Sequence, residues 1–322
     1  VEEEDIKFCR EMLEEVSRSF ALTIPMLDDE LQDPVTIIYL QDRLLDSFED
    51  ELPDIDMDTR TEMMDSVVEL FDPGRSDPAG LIDRIQGWSF RFEDESLGRL
   101  VRNCDRLWKA YRSLPADLRE ISYPWLEEMN RGMQIYLQES VTSFEDLDDY
   151  CYYVAGTVGG FLTDIVLYFA GKKSGGRNVL EENYSEAGIF LQKVNIARDI
   201  RADITGRDRV FWPLEELCLT EEELLSSRHR SQALSALAKM IKSARSHIPT
   251  LLEYLEAIPD DLPGYRKFYS VNNAMGLATL EHLHKNSDVF TSDEPVKVPR
   301  WKTYMIKKFP EKFMGRLARE HV

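Results

Sequence analysis

Apolar residues recur at three- and four-residue spacing along almost the whole chain, and no stretch shows sustained two-residue alternation bounded by hairpin turns. The first pattern puts side chains on one stripe of a helix, the second on one face of a strand, so the expected fold is all-α. Fourteen prolines punctuate the pattern and cluster at segment ends. Asp33 and Pro34 read as an N-cap and a first-turn proline, opening a helix that runs to about Asp50. Further helices are expected over 5–20, 59–70, 97–114, 125–138, 144–170, 184–204, 233–255 and 264–285. Long loops are expected over 71–80, 171–177 and 206–213. No internal repeat and no Ser/Gly linker divides the chain, so residues 1–322 read as one helical domain. Such a bundle can hold a site in its interior, lined by residues from facing helices.

Charge narrows the function classes. Thirty-nine basic and sixty acidic residues leave a net charge of −21. Nucleic acid is excluded as a partner on this ground, because its phosphates demand basic surface. An anionic small ligand would need local cations or metal ions to overcome the field of the whole chain. Cys9, Cys104, Cys151 and Cys218 fall in no zinc spacing and read as free buried thiols in a reducing, cytoplasmic setting. The five histidines form no metal-binding pattern. No uninterrupted apolar run reaches the roughly 20 residues of a membrane span; the nearest is 157–171, which carries Asp164. No signal peptide is visible, but the chain begins at Val1, so a preceding segment stays open.

Two acidic stripes lie on expected helices. Asp46, Glu49 and Asp50 are spaced i, i+3, i+4, which puts three carboxylates on one helical face near its C-terminus. Like charges there repel and meet the wrong end of the helix dipole, a penalty that a bound divalent cation removes. Asn195, Asp199 and Asp203 follow at i+4 steps, with Gln192 three residues before them. Carboxylate and amide oxygens are hard ligands that suit Mg²⁺, which keeps several waters and typically takes one or two carboxylates plus phosphate oxygens of a ligand. The two stripes are expected to face each other across a gap. Arg18, Arg43, Arg198, Arg207 and Arg209 stand near them, and the guanidinium fork matches phosphate. An exposed acidic face is the alternative for each stripe, and a surface salt bridge is the alternative for each arginine.

Gly156, Gly159 and Gly160 interrupt a helix in which Tyr150 and Tyr153 also lie. Each glycine costs up to about 1 kcal/mol relative to alanine. Either two helices approach closely there, or a wall without side chains lets an apolar substrate lie against the backbone. A tyrosine hydroxyl can relay a proton, and its ring can stabilise a cation.

Ser17-Arg-Ser-Phe-Ala21, Asp46-Ser-Phe-Glu-Asp50, the run from Tyr150 to Gly159, the run from Gln192 to Asp203, and Phe211-Trp-Pro213 stand in this order. Together they resemble the squalene/phytoene synthase family of head-to-head prenyl transferases, nearest to its squalene-forming members. The resemblance implies an isoprenoid synthase type of helical bundle with a central apolar cavity. It implies Mg²⁺ held by Asp46, Glu49, Asp50, Asn195, Asp199 and Asp203. Ser17, Arg18, Tyr39, Arg43, Gln192 and Arg198 would contact the diphosphates, Phe20 would line the prenyl tunnel, and Tyr150 would handle a proton. Asp46, Asp50, Asp199 and Asp203 would serve ionisation. The implied reaction condenses two farnesyl diphosphates through presqualene diphosphate, then reduces the product to squalene with NADPH, whose phosphate would meet Lys297 and Arg300. The sequence departs from the squalene-forming pattern at Ala202, where an acid is usual, and at Asn272 and Asn273. The wording around Tyr150 is also typical of phytoene synthases. Phytoene or dehydrosqualene synthesis therefore remains the alternative, with a terpene cyclase behind it.

The segment 297–319 changes character. Eight basic residues face one acid, Glu311, with Trp301, Tyr304, Met305, Ile306, Phe309, Phe313 and Met314 interleaved. A basic amphipathic segment on an acidic protein suggests peripheral contact with an anionic membrane, and pairing with the acidic body is the alternative. Pro310 predicts two short helices there rather than one.

Overall fold

The computed structural model describes residues 2–17, 19–52, 55–171, 175–207 and 209–319, and among them every regular element is helical. Contacts group the chain into two units, Val1–Leu137 with Asp164–Phe169, and Gln138–Thr163 with Ala170–Val322.

The first unit holds α1 (Glu2–Val16), α2 (Phe20–Thr23), α3 (Asp29–Asp50), α4 (Met57–Leu70), α5 (Ala79–Gln86), α6 (Glu95–Arg102), α7 (Cys104–Ser113) and α8 (Ala116–Tyr136). Helix α3 is its core: Leu31, Ile37, Leu40, Leu44, Leu45 and Phe48 are buried at helical spacing. It starts earlier than the Asp33-Pro34 pair suggests. Asp28 is extended and its carbonyl accepts the Leu31 amide at 2.8 Å. Pro34 then lies in the second turn, where it forfeits one intrahelical bond. Asp33 instead accepts two hydrogen bonds from Arg10 on α1, each 2.8 Å. The helix expected over 97–114 is broken at Asn103, whose amide donates to the Arg99 carbonyl at 2.8 Å. Asparagine competes with the helix in this way. Helix α5 replaces the end of an expected loop, and α8 begins nine residues before the expected start.

The second unit holds α9 (Phe144–Cys151), the start of α10 (Thr157–Ala170, whose residues Asp164–Phe169 group with the first unit), α11 (Arg177–Glu182), α12 (Glu186–Ala202), α13 (Leu214–Leu217), α14 (Glu221–Leu225), α15 (Arg230–Arg245), α16 (Ile248–Ala257), α17 (Pro263–Leu283), α18 (Arg300–Lys308) and α19 (Pro310–Arg319). The expected helix over 233–255 breaks between α15 and α16, and Pro310 separates α18 from α19 as its ring predicts. Helices α9 and α10 are joined without a break by a π-helical segment, Tyr152–Gly156. The joined helix runs 27 residues and is long and apolar enough to cross a membrane by length and composition. This corrects the count of uninterrupted apolar residues, which stops at each polar side chain. In the structure, Phe161, Ile165, Val166 and Leu167 are buried, and Asp164 accepts the Trp125 indole N–H at 2.8 Å.

Gly159 of this helix and Gly188 of α12 serve close approach. A Cβ on Gly159 would lie 2.2 Å from the Tyr184 carbonyl oxygen, and one on Gly188 would lie 2.0 Å from that of Ala155. The π-segment and the start of α10 thus rest backbone against backbone on the start of α12. Of the cysteines, Cys9, Cys104 and Cys151 are free and buried as expected, but Cys218 is exposed at a left-handed backbone position.

Because backbone cannot yield as a side chain does, Gly159→Ala and Gly188→Ala should each destabilise by about 1–3 kcal/mol or more. Gly80→Ala, with open space around its Cβ position, should cost nothing. Thermal melts followed by circular dichroism test this; equal midpoints for all three variants would show that the tight approach is absent.

Candidate active site

The first acidic stripe sits on the last turns of α3. Ligand oxygens of Asp46, Glu49 and Asp50 lie within 4.8 Å of one another, with Glu49 buried and the other two half-buried. Arg43, one turn earlier, forms an ion pair with Asp46 and reaches Glu51 at 3.5 Å. Arg60 on α4 is buried beneath the stripe and donates to the carbonyls of Phe48, Glu49 and Leu52. It therefore places a cation at the negative end of α3, where the dipole is most unfavourable for three acids. Spacing could not reveal Arg60, because it lies on a different helix.

Ser17, Phe20 and Tyr39 lie with this stripe in the first unit. The Ser17 hydroxyl accepts the Phe20 amide at 3.1 Å, and the Phe20 and Tyr39 rings are 5.2 Å apart. Burial raises the Tyr39 hydroxyl above its ordinary value, while a hydrogen bond with Ser17 and the charge of Arg43 oppose that shift. Asp42 was not singled out by spacing. Desolvation, then the charge of Asp46, pushes its carboxyl well above the usual range. Arg18 lies outside the described residues.

The second stripe occupies α12 and the π-segment that follows it, Asp203–Arg207. Asn195 is exposed, Gln192 and Asp199 are half-buried, and Asp203 is buried. Arg198 donates to its neighbour Asp199 from Nε and Nη2, at 2.7 and 2.5 Å. Among the described residues, only the first stripe brings three acidic groups into one cluster.

Tyr150, near the end of α9, is buried and stacks on Phe211 with ring centroids 4.1 Å apart and planes 12° from parallel. The Arg209 guanidinium lies 5.0 Å from the Phe211 ring on the same segment. Trp212 is buried and donates from its indole to the Ile196 carbonyl at 2.9 Å. That bond pins the loop to α12 and sets Phe211 against Tyr150.

The opposite face of α12 holds a buried ammonium. Lys193 Nζ meets Ser243 Oγ at 3.0 Å and His247 Nε2 at 2.9 Å, and it pairs with Asp148 two residues before Tyr150. His247 Nδ1 lies 2.7 Å from Glu186 Oε2. The lysine donates, so the imidazole accepts at Nε2 and carries its proton on Nδ1, toward Glu186. Lys297 and Arg300 are exposed, and Lys297 pairs with Glu294 at 2.6 Å.

The hydrogen bond from His247 holds the Glu186 carboxyl below its ordinary value. A depressed carboxyl stabilises the fold above its unfolded value of about 4.3 and loses that contribution as pH falls through the folded value. The stability difference between wild type and Glu186→Gln in urea should therefore be constant above about pH 5 and shrink in acid. A difference unchanged down to pH 3 would contradict the pairing.

Residues 13–302 match the family model described as squalene/phytoene synthase. The squalene synthase of Dictyostelium discoideum is 30% identical over 289 residues, covering 88% of this chain and 66% of that protein. The squalene synthase of Yarrowia lipolytica is 31% identical over 303 residues, covering 90% of this chain and 64% of that protein. The chain thus spans slightly less than two thirds of these relatives. A solved complex of TcSQS with the ligand BPH1237 superposes with a TM-score of 0.85 at 29% identity, covering 98% of this chain and 90% of that one. A dehydrosqualene synthase structure shares the fold, with a TM-score of 0.65 at 15% identity over 98% of both chains.

Proposed function

This chain belongs to the squalene/phytoene synthase family, and from that premise we propose that it is a squalene synthase-like prenyl transferase. Its substrates are two farnesyl diphosphates joined head to head through presqualene diphosphate, and its final step is reduction to squalene by hydride from NADPH. The observation that carries the reading is the carboxylate cluster of Asp46, Glu49 and Asp50 within 4.8 Å, in a chain whose match to the family runs through both units. The same continuity supports reading residues 1–322 as one synthase domain.

The cluster fits Mg²⁺: all its donors are hard oxygens, and they are close enough to share an ion. Bound there, Mg²⁺ stabilises the charge that develops on a departing diphosphate. Asn195, Asp199 and Asp203 are the second ligand set, with Gln192 directed to substrate. The hydroxyls of Ser17 and Tyr39 donate to diphosphate oxygens, with Arg18 assigned beside them. Arg43 and Arg198, which grip Asp46 and Asp199, present planar forks that match phosphate equally well. Phe20 contributes apolar wall. The stack on Phe211 holds the Tyr150 ring, so its hydroxyl is presented in one orientation for proton handling in the first half-reaction. Lys297 and Arg300 offer two exposed cations to the phosphate of NADPH.

Incubation with farnesyl or geranylgeranyl diphosphate, with and without NADPH, followed by mass spectrometry of the products, tests the proposal. Squalene that forms only with NADPH is expected. A C40 product, or a product unaffected by NADPH, would instead indicate phytoene or dehydrosqualene synthesis, and a product with one substrate's carbon count a cyclase. Asp46→Asn and Asp50→Asn should each lower turnover by about 10²-fold or more, since metal-assisted charge stabilisation is worth several kcal/mol.

A further inference from the structure

We propose that the outward face of α18, with the residues that lead into α19, is a docking surface for an anionic lipid bilayer, centred on Trp301, Tyr304 and Phe309. The proposal rests on the C-terminal segment alone and stands apart from the reaction assigned above.

The apolar side of this segment is already used inside the protein. Ile306, Phe313, Met314, Leu317 and Ala318 are buried, and α19 packs along α17. Lys302 is buried as well, with its ammonium 2.6 Å from Glu281 on α17. The inward face is therefore fixed, and the outward face follows from helical geometry.

That face is unusual for a soluble surface. Eight large hydrophobic residues are exposed among those described, and three of them, Trp301, Tyr304 and Phe309, fall within nine residues. Trp301 and Tyr304 are 65% and 63% exposed. Their i, i+3 spacing puts them side by side, with Lys308 one turn further along the same face. Lys307, Lys308 and Lys312 surround them. Among the described residues none of these three lysines pairs with a carboxylate, and Lys308 instead lies 5.4 Å from the Phe309 ring. The one acid within residues 297–319, Glu311, lies 3.9 Å from Arg266.

The occupant is argued from charge and shape. A basic patch on a chain of net charge −21 is complementary to an anionic surface at short range, while the rest of the molecule is repelled and holds the patch foremost. A nucleic acid strand would need a basic groove that tracks its backbone, and the convex outside of one helix supplies none. The outside of a helix is convex and offers no groove for a peptide, whereas a bilayer interface yields around protruding side chains. Tryptophan and tyrosine prefer that interface because one end of each is apolar and the other polar. Lysines beside them can lay their stems along the apolar layer and keep their ammonium groups among the lipid phosphates.

The test uses the whole chain and vesicles of phosphatidylcholine with or without about 30% phosphatidylglycerol, in a co-sedimentation assay over a salt series. Binding to the anionic vesicles, weakening as salt rises, is expected. Trp301→Ala with Tyr304→Ala should weaken it by about tenfold or more, and Lys307→Glu with Lys308→Glu should remove its salt dependence. Quenching of tryptophan fluorescence by brominated lipid should be lost in Trp301→Phe. Trp301, Tyr304 and Lys308 are exposed and Lys307 is half-buried, so unchanged melting curves would confirm intact folding. No binding to anionic vesicles, or binding indifferent to both double variants, would overturn the proposal. So would self-association in the absence of lipid that the Trp301 and Tyr304 changes abolish, since the face would then belong to a second copy.

Discussion

Carboxylates at i, i+3 and i+4 on one helix repel, and the arrangement of the acidic stripes follows from how that repulsion is offset. Each like-charged pair costs a few tenths of a kcal/mol on an exposed helix, about 0.2–0.5. A hydrogen bond to a charged group contributes about 1.5–3 kcal/mol, so one well-placed arginine outweighs several repulsions. Arg43 takes that place for Asp46, and Arg198 for Asp199. Arg60 adds a cation at the carbonyl end of α3. An acidic protein can thus keep three carboxylates within reach of one ion because its cations are distributed residue by residue.

The buried lysine obeys the same rule from the other direction. An ammonium removed from water loses its charge or destabilises the fold unless partners surround it. Lys193 has Ser243, His247 and Asp148, and His247 is oriented in turn by Glu186. These groups come from α9, α12 and α15 and from the turn before α16. One satisfied network therefore sets the roll of α12 against the helix that carries Tyr150. The face bearing Asn195 and Asp199 points away from the network because Lys193 points into it. The close backbone approach at Gly159 and Gly188 restricts the start of α12 against the continuation of the helix that carries Tyr150. A π-segment follows Tyr150, and another begins at Asp203. Such irregularities recur at functional sites, where they re-aim side chains that a regular helix would misplace.

The parts of this architecture that depend on spacing along one helix were legible in the sequence. Helix identity, the acidic cluster on α3 and the break at Pro310 follow from period and local chemistry. What depends on a second helix was not. Arg60, Asp42 and the network around Lys193 carry no signature, because an arginine, an aspartate or a lysine in a helical run reads the same whether it is buried or exposed. The start of α3 was misplaced because Asp33-Pro34 reads as a helix opening whether or not the helix has already begun, and the burial of Leu31 in the turn before it leaves no mark in the local sequence. Glycines were legible as an anomaly but not in meaning. Only the Tyr184 and Ala155 carbonyls facing them distinguish close packing from a wall for substrate.

The C-terminal segment shows the same limit in its plainest form. An amphipathic basic helix has one apolar face, and its sequence does not say whether protein or lipid covers that face. Here protein does, through Ile306, Phe313, Met314 and Leu317. Amphipathicity is therefore explained without a membrane, and cannot serve as an argument for one. Amphipathicity leaves the exposed aromatic residues unexplained. Trp301 and Tyr304 lie on the side that the pattern assigns to polar residues, and no folding requirement places large aromatic rings there. Their exposure carries an unfavourable hydration of apolar surface that burial in a partner would relieve, and their basic neighbours specify the sign of that partner's charge.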